Sequence, residues 1–189
     1  MDAFINEINN LVRNNSISTQ DLLIQEQVNH LTAFLMEYTQ IKSVADIRFN
    51  TGIASAIILN SRPDIHVHSF DNLSQDYVIK QKKNIDSLFS NRHTLILGDT
   101  IRTKEVDKDE MFDFIFIDGN TKIQITAFEI INAYKLLKKG YVMCIDDYNK
   151  KHGNPAVLAS VEELLKENKV EVVDFFEIYD RTLIYLRKL

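Results

Sequence analysis

Apolar residues recur at helical spacing through the first forty positions. Phe4, Ile5, Ile8, Leu11 and Val12 share one face, and after the polar break Asn14-Asn15-Ser16 the period returns in Leu23, Val28, Leu31, Phe34 and Leu35. Ser18 or Thr19, followed by Gln20 and Asp21, supplies the chemistry of a second helix start. From Ser43 the pattern changes, and short apolar runs alternate with helical stretches. Strands are expected at 44–47, 65–70, 94–97, 112–117 and 141–145, with helices at 51–59, 75–89, 123–137 and 155–167 between them. Gly140 reads as the stop of the third of these helices, and Asn154 with Pro155 as the cap and first turn of the fourth. Residues 170–176 and 182–186 are strands joined across Tyr179-Asp180-Arg181, a terminal antiparallel hairpin.

Repeated strand–helix units predict an α/β domain: a mostly parallel sheet of seven strands, helices on both faces, and the hairpin at its end. The expected organisation is a helical prefix over residues 1–40, packed on an α/β domain of residues 41–189. Composition agrees with this. The chain has 189 residues, 45% hydrophobic and 26% charged, as in one globular domain. No apolar run reaches the length of a membrane span; even Gly119–Ile131 is interrupted by Lys122 and Glu129. The start Met1-Asp2-Ala3-Phe4 has no basic, then apolar, leader, and the lone Cys144 excludes an intrachain disulfide. Both point to a cytoplasmic setting. A net charge of -5 argues against nucleic acid as a general partner.

Ligands of open parallel sheets collect beyond the carboxyl ends of the strands. Each expected parallel strand here ends at or near an acid: Asp46 slightly inside the first, then Asp71, Asp99, Asp118, and the pair Asp146-Asp147. A single loop Asp is usually a turn or cap residue, but five successive strand ends alike are harder to explain so. An acidic rim suits a ligand rich in donors, such as a ribose, an exocyclic amine or an ammonium group, and it can also take a divalent cation. It suits a polyphosphate poorly, and no GxxxxGK[ST] loop occurs.

These segments resemble the class I S-adenosylmethionine-dependent methyltransferases, a Rossmann-like fold. The run Asp46-Ile47-Arg48-Phe49-Asn50-Thr51-Gly52 resembles the family's first motif, an acid before a glycine-rich turn. His68-Ser69-Phe70-Asp71 resembles the second, whose acid holds the ribose hydroxyls. Leu97-Gly98-Asp99-Thr100 resembles the third, near the adenine amine, and the strands ending at Asp118 and at Asp146-Asp147 resemble the fourth and fifth. The resemblance implies S-adenosylmethionine as cofactor, with Asp46, Arg48, Asn50, Gly52, Asp71, Asp99, Thr100 and Asp118 around it. A narrower likeness, to catechol O-methyltransferase-like enzymes, implies a magnesium site on Asp118, Asp146 and Asp147. That ion would acidify a hydroxyl of a small-molecule acceptor, a sugar or a phenol. The reading without a metal has Asp118 and Asp147 hydrogen-bonding loops or the donor.

Two departures stand out. Arg48 occupies the place of the motif's first glycine, where positive φ costs a non-glycine residue about 1–2 kcal/mol. Its side chain either fills the donor pocket, reaches the donor's carboxylate, or points away. After Asp118 the chain reads Gly119-Asn120-Thr121-Lys122, where one small-molecule subgroup has Gly-Gly-His. Threonine is no base at neutral pH, which leaves Lys122, if burial lowers its pKa, and His152 in the loop after the fifth strand. Arg48 and Thr121 are also the argument for an alternative: a degenerate methyltransferase fold acting as an interaction subunit. A nicotinamide oxidoreductase ranks last, because its GxGxxG is missing. The helical prefix has two readings, a cover over the acceptor site or a dimerisation element in a homodimer.

Overall fold

The computed structural model describes residues 23–72, 77–98, 109–118, 123–149 and 154–189, with no account of the side chains of residues 123 and 124. Within these, α1 (Gln25–Glu37) precedes β1 (Ser43–Ile47), α2 (Ile53–Ser61), β2 (His66–Asp71), α3 (Val78–Leu88) and β3 (His93–Leu97). There follow β4 (Phe112–Ile117), α4 (Ile123–Leu136), β5 (Leu137–Asp146), α5 (Pro155–Lys166), β6 (Val170–Ile178) and β7 (Arg181–Lys188). The expected helix starts at Ser18 or Thr19 lie outside the described residues.

The strands form one seven-stranded sheet in the order β3-β2-β1-β4-β5-β7-β6. β1 pairs in parallel with both β2 and β4, and β7 runs antiparallel between β5 and β6. This is the Rossmann-like arrangement expected from the alternating pattern. Strand alternation sorts the core into two layers. Val44, Phe114, Phe116, Val142 and Tyr185 face α1, α2 and α3, where they meet Leu31, Leu35, Ile57 and Ile85. Ala45, Ile47, Ile115, Ile117, Met143 and Ile145 face α4 and α5, against Ile130, Ala133, Val157 and Val161. Cys144 is buried in the first layer, a small core residue as its position inside a strand implied.

Gly140 does not stop a helix. α4 ends at Leu136 and the chain passes directly into β5, with Gly140 inside the strand at φ 80. There β5 shifts register against β4, since Phe112 pairs with Leu137 but Phe114 with Val142. The irregularity accommodates Asp113, an acid within an apolar strand. Its carboxylate accepts from the backbone N–H of Lys42 and Ser43 at 2.9 Å each, and from Lys138 Nζ at 2.8 Å. The cap of α5 forms as expected, with Asn154 Oδ1 accepting from Ala156 N at 2.9 Å.

The prefix helix α1 joins the first core layer through Leu31 and Leu35, both fully buried. Its carboxyl end is tied by Arg62, whose guanidinium donates to the carbonyls of Leu35, Tyr38 and Thr39. That clamp satisfies the orphan carbonyls of a helix end. No helix among the described residues is long and apolar enough to cross a membrane.

Candidate active site

The strand order reverses between β1 and β4, the two strands that start the two halves of the sheet. A cleft opens there, beyond their carboxyl ends, as it does in other doubly wound sheets. It is lined by Arg48, Phe49, Asn50 and Thr51 of the loop after β1, by Ile53 and Ala54 of α2, and by Leu23, Phe116, Asp118 and Asp146.

The loop after β1 has the backbone of a glycine-rich turn with only one glycine in it. Arg48 has φ 73, Asn50 φ 45 and Gly52 φ 77. Asparagine tolerates the left-handed region, whereas arginine bears a cost of about 1–2 kcal/mol. Gly52 is required twice over: by its φ, and because a Cβ there would lie 2.8 Å from Cζ of Phe49. Phe49 is buried and stacks on the imidazole of His93 at 5.1 Å. The Asn50 N–H donates to Asp71 Oδ2 at 2.9 Å, and the Tyr77 hydroxyl donates to Asn50 Oδ1. The first-motif turn is thereby tied to the second-motif acid at the end of β2. Asp71 is 7% exposed.

Asp46 sits elsewhere than the sequence suggested. It is 0% exposed and lies beneath the turn, where Oδ2 accepts from the hydroxyls of Ser55 and Ser69. Ser69 Oγ in turn lies 2.8 Å from His93 Nε2. Asp46 therefore supports the loop from below and does not line the cleft. Burial pushes its carboxyl up to about 7, since the ionised form would have to leave water. Burial, aided by the nearby Lys82 ammonium, holds His93 down to about 4.

Arg48 turns toward α4: its Nε lies 3.2 Å from Oε2 of Glu129, a carboxylate only 3% exposed, and the two form an ion pair. Nη2 of Arg48 is buried without a hydrogen bond.

Asp146 and Asp147 close the other side. Asp146 Oδ1 accepts from Gln27 Nε2 of α1 at 3.0 Å and from the N–H of Asp147 at 2.8 Å. Burial, with the charges of Asp147 and Asp118 adding to it, pushes Asp146 up to about 8. Asp147, at φ 61, is raised by burial and by the charge of Asp118. The expected magnesium site does not fit this geometry. Among the described residues no three His, Cys, Asp or Glu side chains stand close enough to hold one ion, and Asp146 Oδ1 is already committed to two N–H donors. The expected Asp99, Thr100, Lys122 and His152 lie outside the described residues.

Sequence reasoning missed Gln27, Glu129 and the Ser55–Ser69–His93 chain beneath the turn. A signal existed for two of them. Gln27 stands at helical spacing between Leu23 and Leu31 on the buried face of α1, and Glu129 interrupts an apolar helix. Polar groups on such faces are retained when they have a partner. Tyr148, next to Asp147, packs edge-on against Phe175.

Residues 2–178 match the model of a family described as O-methyltransferase. No protein of curated function matches the chain in sequence. Solved structures match throughout its length. The S-adenosylhomocysteine-bound methyltransferase PaMTH1 of Podospora anserina is 14% identical, covers 100% of this chain and 88% of its own, and superposes with a TM-score of 0.77. A methyltransferase from Geobacter sulfurreducens is 13% identical, over 99% of this chain and 90% of its own, with a TM-score of 0.73. An O-methyltransferase family protein from Burkholderia thailandensis, 13% identical, covers 85% of this chain and 55% of its own at a TM-score of 0.64.

Proposed function

Since the chain belongs to the O-methyltransferase family, whose model spans residues 2–178, we propose that it transfers the methyl group of S-adenosylmethionine to a hydroxyl of a small molecule, a sugar or a phenol. The observation that carries this reading is the turn after β1. Arg48, Asn50 and Gly52 all stand at positive φ there, although Arg48 takes the place of the motif's first glycine, and the Asn50 N–H donates to Asp71.

In this reading Asp71 holds the ribose hydroxyls, with Asp99 and Thr100 at the base. Asn50 and Gly52 shape the turn that backs the nucleoside. The bound donor supplies an electrophilic methyl group on a sulfonium. Transfer is an in-line displacement in which the acceptor oxygen forms the new C–O bond as the C–S bond breaks, leaving a neutral thioether. The chain's work is therefore alignment and exclusion of water. Asp118, in the lining of the cleft, orients the acceptor hydroxyl. The hydroxyl proton leaves to Lys122 or His152, which follow β4 and β5 in the sequence.

Incubation with methyl-labelled donor and panels of phenols and sugars should give labelled methyl ethers in step with S-adenosylhomocysteine. Binding of S-adenosylhomocysteine without transfer to any hydroxyl would instead favour the interaction subunit.

A further inference from the structure

We propose that the start of α1 forms the acceptor end of the cleft, where Gln27 is a positioning residue that holds Asp146 toward the hydroxyl of an aromatic acceptor. This rests on the donor-binding reading above for which end of the cleft is the acceptor's.

Gln27 is 0% exposed, on the face of α1 that also buries Val28, Leu31 and Leu35. Packing alone would be served there by leucine, since an amide is kept inside only where its polar atoms find partners. Both of them do. Oε1 accepts from the N–H of Ile24 at 3.2 Å, and Nε2 donates to Asp146 Oδ1 at 3.0 Å. The first bond caps the helix; the second crosses to the carboxyl end of β5. Asp146 stands two residues after Cys144, which packs in the layer facing α1, so strand alternation turns its carboxyl toward the helix. Oδ1 also accepts from the Asp147 N–H at 2.8 Å, which leaves Oδ2 for a ligand. Oδ1 can accept both N–H groups whether the carboxyl is ionised or carries a proton on Oδ2.

The surroundings of Asp146 are partly apolar. Leu23, just ahead of α1, and Phe116 line the cleft with it. Apolar faces with a few fixed polar groups suit a hydroxylated aromatic ring better than a sugar, whose many hydroxyls would each need a partner. Sheet order decides which end of the cleft this is. β1 and β4 stand between β2 and β5, so Asp146 lies three strand spacings, about 14 Å, from Asp71 and the ribose assigned to it.

The side-chain amide resonance of Gln27, assigned by its loss in Gln27→Leu, tests this in isotope-labelled protein saturated with S-adenosylhomocysteine. Catechol and phenol should shift it, because Asp146 takes the ring hydroxyl, and should leave it unmoved in Asp146→Ala. Glucose should leave it unmoved in both. Gln27→Leu should weaken catechol binding about fivefold or more and keep S-adenosylhomocysteine affinity within about twofold. In an Asp146→Ala background it should add nothing further. Should Gln27→Leu fail to fold, Gln27→Met takes its place. A resonance unmoved by both phenolic probes, or moved as far by glucose, would overturn the proposal. So would a folded Gln27 variant that binds catechol as the wild type does, or one that loses catechol and S-adenosylhomocysteine equally. If S-adenosylhomocysteine does not bind the wild type, the function proposed above fails. The same titration of the free protein then still decides whether Gln27 senses a phenol through Asp146.

Discussion

Asp46 lies fully buried beneath the turn, with two serine hydroxyls on Oδ2 and no hydrogen bond to Oδ1. Its carboxyl is raised from 3.8 to about 7, so the folded state holds the proton more tightly than the unfolded chain. Such a group stabilises fully below pH 3.8, and its contribution is lost as pH rises toward 7. Asp146 acts in the same direction, up to about 8. His93, lowered from 6.5 to about 4, opposes them, since its contribution is lost as pH falls through that range. Asp46→Asn keeps an acceptor for Ser55 and Ser69 and removes the titration. Between pH 5 and pH 8 the wild type should lose about 2 kcal/mol more stability than this variant. Urea unfolding at the two pH values reads the difference, and parallel profiles would show that Asp46 is ionised throughout. Arg48 makes the complementary point. Its positive φ follows from matching the turn motif, but its partner Glu129 lies 81 positions on by the numbering and was invisible until α4 was placed against the turn.

Among the elements, strands and helices were legible because period and punctuation agreed. β4 and β7 fall within two residues of their expected bounds, and α5 starts where Asn154 and Pro155 predicted. That cap fixes how the chain enters α5, which buries Val157, Val161 and Leu164. Asn154→Ala should cost about 1 kcal/mol, seen as a lower urea midpoint with unchanged slope. An unmoved midpoint would mean that water serves the Ala156 N–H as well. Gly140 misled because a glycine after a helical run is usually a stop, whereas here β5 uses positive φ to pass a register shift. The distinction depends on the pairing of Phe112 and Phe114 with β5, which local pattern does not contain.

At the scale of the molecule, one sheet order accounts for the site. Placing β1 between β2 and β4 brings Asp71, the turn after β1 and Asp118 to one edge, and β5 adds Asp146 and Asp147. The acids were readable as strand ends. The partner of Asp146 was not, because Gln27 of α1 meets it across 119 positions. The central claim is that this edge binds the nucleoside of a methyl donor through Asp71. Calorimetric titration of S-adenosylhomocysteine into the wild type and Asp71→Ala tests it most directly. One-to-one binding, weakened about tenfold or more in the variant, is the predicted result. No binding to the wild type, or equal affinity in both proteins, would contradict it.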